Sequence, residues 1–173
     1  ISTPHHTHFN LLIEALKSNK KIFIEKPLCL TTKELSEIKK AYTISQSNFL
    51  MVGYNRRFSK FTHIINENLK GSNRKDLFSN YNINAGKLST DTWHSEAIYS
   101  GGRIIGELCH FIDLLLYIHN SNIIDYNVIS LNSLDKESVN INLNFENGSK
   151  ASINYLTFGN FNTKKENLKI YAN

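Results

Sequence analysis

The stretch Lys21-Ile22-Phe23-Ile24-Glu25-Lys26-Pro27-Leu28 limits the possible folds more than any other part of the chain. Its apolar run does not alternate with polar residues, so a strand built from it belongs in a sheet covered by helices rather than in a half-solvated one. The run stops at an acid, a base and a proline, at the strand end where open α/β sheets gather their ligands. Phe49-Leu50-Met51-Val52 is a second such run, closed by Gly53. The segments around these runs have helical spacing. Phe9, Leu12, Ala15 and Leu16 share one face of a helix from about His8 to Lys17, with Thr7 placed to cap it and Ser18-Asn19 to stop it. Thr31-Thr32-Lys33-Glu34 is a capping-box pattern, with Leu35, Ile38 and Tyr42 at helical spacing behind it. Helix, strand, helix, strand predicts an α/β domain with a parallel, doubly wound sheet over residues 1–53.

After Gly53 the pattern changes. Phe61, Ile64, Ile65 and Leu69 predict a helix over about 59–69 that ends at Gly71. A strand at about 77–85 follows, then an irregular stretch through Trp93 to Gly101-Gly102, and a buried helix over about 103–119. The last third alternates strictly: Val139, Ile141, Leu143 and Phe145 point one way, and Asn140, Asn142 and Asn144 the other. Glu146-Asn147-Gly148 reads as a hairpin turn in which Asn-Gly adopts positive φ, and Ala151, Ile153 and Tyr155 answer on the returning strand. Residues 54–173 therefore predict an α+β domain with a largely antiparallel open sheet. Its Asn-lined face (Asn80, Asn140, Asn142, Asn154) suits a wet surface better than a dry interface.

Charge and composition exclude several classes. The 173 residues carry a net charge of +5, spread over scattered lysines rather than a basic stripe. Arg56-Arg57-Phe58 and Lys164-Lys165 are too short to argue for nucleic acid, which needs basic residues interleaved with aromatics. No apolar run is long enough to cross a membrane, and no signal-type segment opens the chain. Cys29 and Cys109 lie far apart without metal-type spacing, which predicts reduced thiols in a cytoplasmic protein. The chain opens at Ile1 without an initiator Met and closes on what reads as a strand cut at its edge, the pattern expected of a fragment.

Four clusters carry candidate chemistry. Lys26, between Glu25 and Pro27, reads either as a positioned acid–base group or as an exposed ion pair worth under about 1 kcal/mol. His5, His6 and His8 are too closely spaced to ligate a metal from one helical face, so no metal is expected. They read instead as a strand-tip loop whose following helix N-terminus can face a cofactor. Glu107, His110 and Asp113 are each three apart on an apolar helix, which fits a proton-transfer row or a satisfied core histidine. Asn55-Arg56-Arg57 at a strand end can clamp an anionic or polyhydroxylated group, or close a domain junction. Trp93, in Asp91-Thr92-Trp93-His94, can stack on a ring or plug the core.

Taken in order, Ser2-Thr3-Pro4 with His8, Glu25-Lys26-Pro27, Gly53-Tyr54-Asn55-Arg56-Arg57-Phe58, Trp93 ahead of Gly101-Gly102, and the His110…Asp113 helix resemble the Gfo/Idh/MocA family of NAD(P)-dependent oxidoreductases acting on sugars and cyclitols. The resemblance covers almost the whole chain. It implies a partial Rossmann domain followed by an α+β domain whose open sheet makes a homo-oligomer. It also implies a small sugar-like substrate and NAD or NADP as cofactor. Lys26 and His110 would be the catalytic pair, with Glu107 in support. Ser2, Thr3, Pro4, His5, His8, Glu25, Lys26, Asn55 and Arg56 would lie at the cofactor; Arg56, Trp93, Arg103 and Asp113 would lie at the substrate.

Two departures stand out. Gly106 occupies the position where the family places Asp, and Glu107 comes one residue later, a turn of about 100° on a helix. The Gly-rich phosphate-binding turn belongs to a βαβ unit that precedes Ile1. The chain is thus expected to hold the chemistry end of a dinucleotide site without its pyrophosphate end, and to be inactive alone. The alternative is a non-catalytic oligomerisation module of the same fold.

Overall fold

A computed structural model describes residues 1–45, 49–88, 93, 96–131, 137–160 and 162–173, so Asp91, Thr92 and His94 lie outside the described residues. In chain order the elements are α1 (His8–Leu16), β1 (Ile22–Ile24), α2 (Thr32–Ile44), β2 (Leu50–Val52), α3 (Lys60–Asn68), β3 (Phe78–Asn84), α4 (Ala97–Ser100), a π-helical turn (Ile104–Leu108), α5 (Cys109–His119), β4 (Ile123–Ser130), β5 (Val139–Phe145), β6 (Lys150–Leu156) and β7 (Glu166–Tyr171). They form two units. One comprises Ile1–Asn55 with Ser89–His110, and the other Arg56–Leu88 with Phe111–Asn173.

In the first unit β1 and β2 pair in parallel, Ile22 opposite Leu50 and Ile24 opposite Val52, as the two apolar runs predict. Ile22 and Ile24 are buried with Leu12 and Leu16 of α1 and Ile38 of α2, each worth about 1.5–3 kcal/mol of transfer free energy. Phe23 between them stays 47 % exposed, so β1 is covered on one face only. The Thr31–Glu34 capping box forms in full: the Glu34 amide donates to Thr31 Oγ1 (3.1 Å) and the Thr31 amide to the Glu34 carboxylate (3.0 Å). The expected Thr7 cap does not form. A 3-10 turn at His5–Thr7 leads into α1, and the Thr7 hydroxyl donates back to the Pro4 carbonyl (2.7 Å) instead of accepting from the helix.

In the second unit the sheet order is β4-β5-β6-β3-β7, with only the β3–β6 pair parallel. Alternation decides its faces. Val139, Ile141, Leu143, Phe145, Ala151, Ile153 and Tyr155 are buried, with Tyr81 and Ile83 of β3 and Phe111, Leu114, Leu115 and Ile118 of α5. The Phe111 ring meets Tyr81 edge-on at 5.2 Å and lies 6.1 Å from Tyr155, which fixes α5 against this face. The opposite face is an amide ladder. Asn140 donates to Asn154, Asn154 to Asn82 and Asn82 to Asn80, each at 2.8 Å.

α3 forms where the spacing predicts a helix, with Phe61 and Ile64 exposed and Thr62 buried, its hydroxyl donating to the Arg56 carbonyl (2.6 Å). Two local expectations are corrected. The expected single helix over 103–119 opens with the π turn before it becomes α-helical. At the β5–β6 turn only Gly148 takes positive φ (+92°), following a turn closed by the Gly148 amide on the Phe145 carbonyl (2.9 Å). Asn147 contributes its side chain rather than a positive φ: Oδ1 accepts from the Ser149 amide and Nδ2 donates to the His119 carbonyl.

Candidate active site

The candidate site is built in the first unit, where the end of β1 meets the π turn. The Lys26 ammonium donates to the Gly106 carbonyl (2.7 Å), four residues ahead of His110. Gly106 is closely cradled: a Cβ there would stand 3.1 Å from the Ser100 carbonyl oxygen and 3.2 Å from His5 Cε1. Only a residue without a side chain fits without displacing these neighbours, which accounts for glycine where the resemblance expects Asp. His5 is buried, and its Nδ1 donates to the Ser100 carbonyl (2.8 Å), since a carbonyl can only accept. Trp93 meets the His5 ring edge-on at 4.8 Å, so this tryptophan packs on a histidine of the site.

The rest of the corner follows from close backbone approach. The Glu25 carboxylate lies flat against Gly53, where a Cβ would stand 3.0 Å from Oε2, and it accepts from the Lys26 amide (3.3 Å). His8 is fully buried, with Nδ1 2.7 Å from the Pro27 carbonyl and Nε2 2.9 Å from the Thr3 carbonyl. The Ser2-Thr3-Pro4 loop is tied down through Thr3, whose Oγ1 is 2.6 Å from that of Thr7. The His110 ring stands edge-on to Tyr54 at 6.4 Å. Asn55 closes its own turn, its amide on the Gly53 carbonyl (2.9 Å).

The expected acid–His–acid row is resolved into separate ion pairs. Glu107 lies in the π turn and pairs with Arg103 (2.8 Å), whose side chain is 5 % exposed. The widened turn breaks the i, i+3 spacing that an α-helix would give Glu107 and His110. In the second unit Asp113 takes both nitrogens of an Arg57 fork, Nε at 2.7 Å. Arg56 likewise forks onto Glu166 (2.6 and 2.9 Å), with its guanidinium 4.5 Å from the Phe111 ring centre. Burial pushes the Glu166 carboxyl up, but hydrogen bonds from Arg56 and from the Tyr81 hydroxyl (2.6 Å) outweigh it and hold it below its usual range. Burial first, then Glu166, pushes the Tyr81 phenol up.

The structure thus brings Lys26, His5, Trp93 and Gly106 together, and places Glu25, His8, Arg103, Glu107 and His110 in the same unit. Arg56 and Asp113 belong to the other unit. Sequence reasoning missed the Gly106 and Ser100 carbonyls, because backbone groups leave no residue signature, and Tyr54, although it lies inside a motif already singled out. It also missed Glu166, 110 residues from Arg56. Among the described residues no group of three or more His, Cys, Asp or Glu side chains could hold a metal ion. Nor is any helix among the described residues long and apolar enough to cross a membrane.

Residues 1–54 match the model of an oxidoreductase family with an NAD-binding Rossmann fold. No curated protein matches the chain. An NAD-binding protein from Listeria innocua is 25 % identical, with a TM-score of 0.77 over 96 % of this chain and 50 % of that one. The WlbA dehydrogenase from Bordetella pertussis, solved with NADH and UDP-GlcNAcA, has a TM-score of 0.79 at 15 % identity over 99 % of this chain and 56 % of its own. Aldose-aldose oxidoreductase from Caulobacter crescentus, solved with glycerol, has a TM-score of 0.76 at 18 % identity, over 91 % and 50 %. The chain spans about half the length of these structures. The fold follows that of the Listeria innocua NAD-binding protein over almost the whole chain, and residues 1–54 carry the match to an oxidoreductase family with an NAD-binding Rossmann fold. Over residues 1–54 the chain is similar to the Gfo/Idh/MocA oxidoreductase family.

Proposed function

We propose that this chain is the catalytic portion of an oxidoreductase that interconverts a secondary alcohol and a ketone on a sugar, sugar nucleotide or cyclitol, with NAD or NADP. The carrying observation is the Lys26–Gly106 hydrogen bond. It ties the strand end that matches the NAD-binding family to the turn opening the His110 helix. A nicotinamide ring needs a surface with backbone at close range, which the Ser2–Pro4 loop and His5 supply, while Gly53 and Gly106 let Glu25, Ser100 and His5 close in around Lys26. When bound, the nicotinamide would give or take the hydride.

The chain's own residues handle the proton. An ammonium has three N–H donors, so Lys26 keeps two after the Gly106 carbonyl has taken one. Those two polarise the substrate oxygen. His110 takes the hydroxyl proton in oxidation and returns it in reduction, a role worth about 10²–10⁴ in rate. Glu107, neutralised by Arg103, stiffens the turn between them. Trp93 and Arg103 are the substrate-side residues of this unit. The sugar class is supported by relatives solved with UDP-GlcNAcA and glycerol. The protein works in the cytoplasm and assembles through the open sheet.

In the protein that carries this chain, Lys26→Ala and His110→Ala should each lower turnover by about 10²-fold or more while leaving the circular dichroism spectrum unchanged. Normal turnover in either variant defeats this reading and favours the non-catalytic module of the same fold, in which these side chains are structural.

A further inference from the structure

His8 is the first residue of α1, fully buried, and both of its ring nitrogens face backbone carbonyl oxygens: Nδ1 the Pro27 oxygen at 2.7 Å and Nε2 the Thr3 oxygen at 2.9 Å. A carbonyl has lone pairs and no proton to give. A neutral imidazole has one N–H and one lone pair, so it can satisfy one of these oxygens and must press its lone pair against the other. Both contacts are hydrogen bonds only if both nitrogens carry protons. We propose that His8 is a buried imidazolium that clamps the Ser2–Pro4 loop to the Lys26–Pro27 turn, a positioning residue for Lys26.

Competing effects are of known sign. Burial penalises a cation, and the positive end of α1 opposes one at its first residue. The His5 ring lies 5.8 Å away, and Glu25 and Lys26 flank in the chain the turn that carries Pro27. Against these stand two short, charge-assisted bonds, about twice as strong as neutral ones, and removal of a lone-pair clash at a fully buried ring. The consequence is specific to the site. The Thr3 carbonyl belongs to the loop proposed to line the nicotinamide, and the Pro27 carbonyl follows the lysine proposed to polarise the substrate oxygen. One side chain therefore sets the spacing of the two. Buried and engaged on both nitrogens, His8 acts through Lys26 and Thr3 rather than on cofactor directly.

The positioning role rests on the proton-handling role of Lys26, but neither measurement below involves turnover, so the two readings fail separately. Histidine-selective ¹⁵N labelling of the full chain, with long-range ¹H–¹⁵N correlation at neutral pH, reads the ring nitrogens of His8 directly. Two nitrogens, each bonded to a slowly exchanging proton, are expected; one unprotonated nitrogen overturns the proposal. Competitive acylation, quantified by mass spectrometry, then compares the Lys26 amine with that of exposed Lys21. His8→Phe keeps the ring volume without donors and should raise Lys26 labelling by about fivefold or more, with His8→Gln between it and wild type because its amide still donates. Lys26 labelling unchanged in both variants also overturns the proposal.

Discussion

His8 and His119 are both fully buried histidines with a hydrogen-bond partner at each ring nitrogen, and their partners make them opposites. His8 lies between two carbonyls, which only accept. His119, in the second unit, lies between two serine hydroxyls, Ser79 at Nε2 (2.9 Å) and Ser149 at Nδ1 (2.7 Å), with its ring stacked on Phe145 at 4.2 Å. The Ser149 hydroxyl gives its one proton to Asn147 Oδ1 (2.7 Å), so it must accept from His119 Nδ1–H. Nε2 is then the acceptor, and the Ser79 hydroxyl donates to it. A neutral ring is fully satisfied there. Burial, then the nearby Arg74 guanidinium, pushes the His119 imidazole down to about 4. Residue type and burial do not fix the charge of a histidine; the donor capacity of its neighbours does.

The largest test of the contrast removes the ring. His119→Ala deletes a buried, stacked side chain and leaves two hydroxyls without their partner, so it should cost about 3–4 kcal/mol, seen as a fall in the urea midpoint of the second unit. A loss below about 1 kcal/mol would mean that the Ser79–His119–Ser149 line is not a structural element.

The pH dependence of His119 comes next. The unfolded chain binds a proton near the ordinary value of 6.5, whereas the folded ring resists until about 4. Between these limits the unfolded state holds more protons, so the contribution is fully present above 6.5 and is lost as pH falls toward 4. The difference, 6.5 − 4 = 2.5 units, corresponds to about 3 kcal/mol. Urea melts between pH 6.5 and 5, above the main carboxylate range, should show this slope in wild type and lose it in His119→Phe. An unchanged slope in that variant would assign it to other groups.

The same contrast shows what the sequence could reveal. The β5–β6 hairpin was legible because a period of two has one structural meaning when one face is buried, as was the capping box, which is a local hydrogen-bond exchange. Lys26, His5, Trp93 and His110 were legible as chemical types in a suggestive order. Their partners were not, for two physical reasons. Lys26 and His5 bind the Gly106 and Ser100 carbonyls, which any residue possesses, and Glu166 and the serines around His119 meet their partners only after 30 to 110 residues of chain have folded back. The π turn was hidden as well. Arg103-Ile104-Ile105-Gly106 has no residue that demands a widened helix, and only the packing of Gly106 against Ser100 and His5 shows why the backbone runs so close.

The finest test concerns the direction of the protons around His119. Ser79→Ala removes the donor to Nε2 and leaves a buried lone pair. Ser149→Ala removes the acceptor for Nδ1–H and also frees Asn147 Oδ1 of one of its two partners, the other being the Ser149 amide (3.0 Å). Each should cost about 1–2 kcal/mol, with Ser149→Ala the larger because two groups lose a partner. In a double-mutant cycle, Asn147→Ala and Ser149→Ala should therefore couple, whereas Asn147→Ala and Ser79→Ala should be close to additive, the histidine lying between them. If the coupling falls on the Ser79 pair instead, the ring protonates on Nε2, the Ser149 hydroxyl donates to it rather than to Asn147, and the hydroxyl-flanked histidine is held by the reverse arrangement.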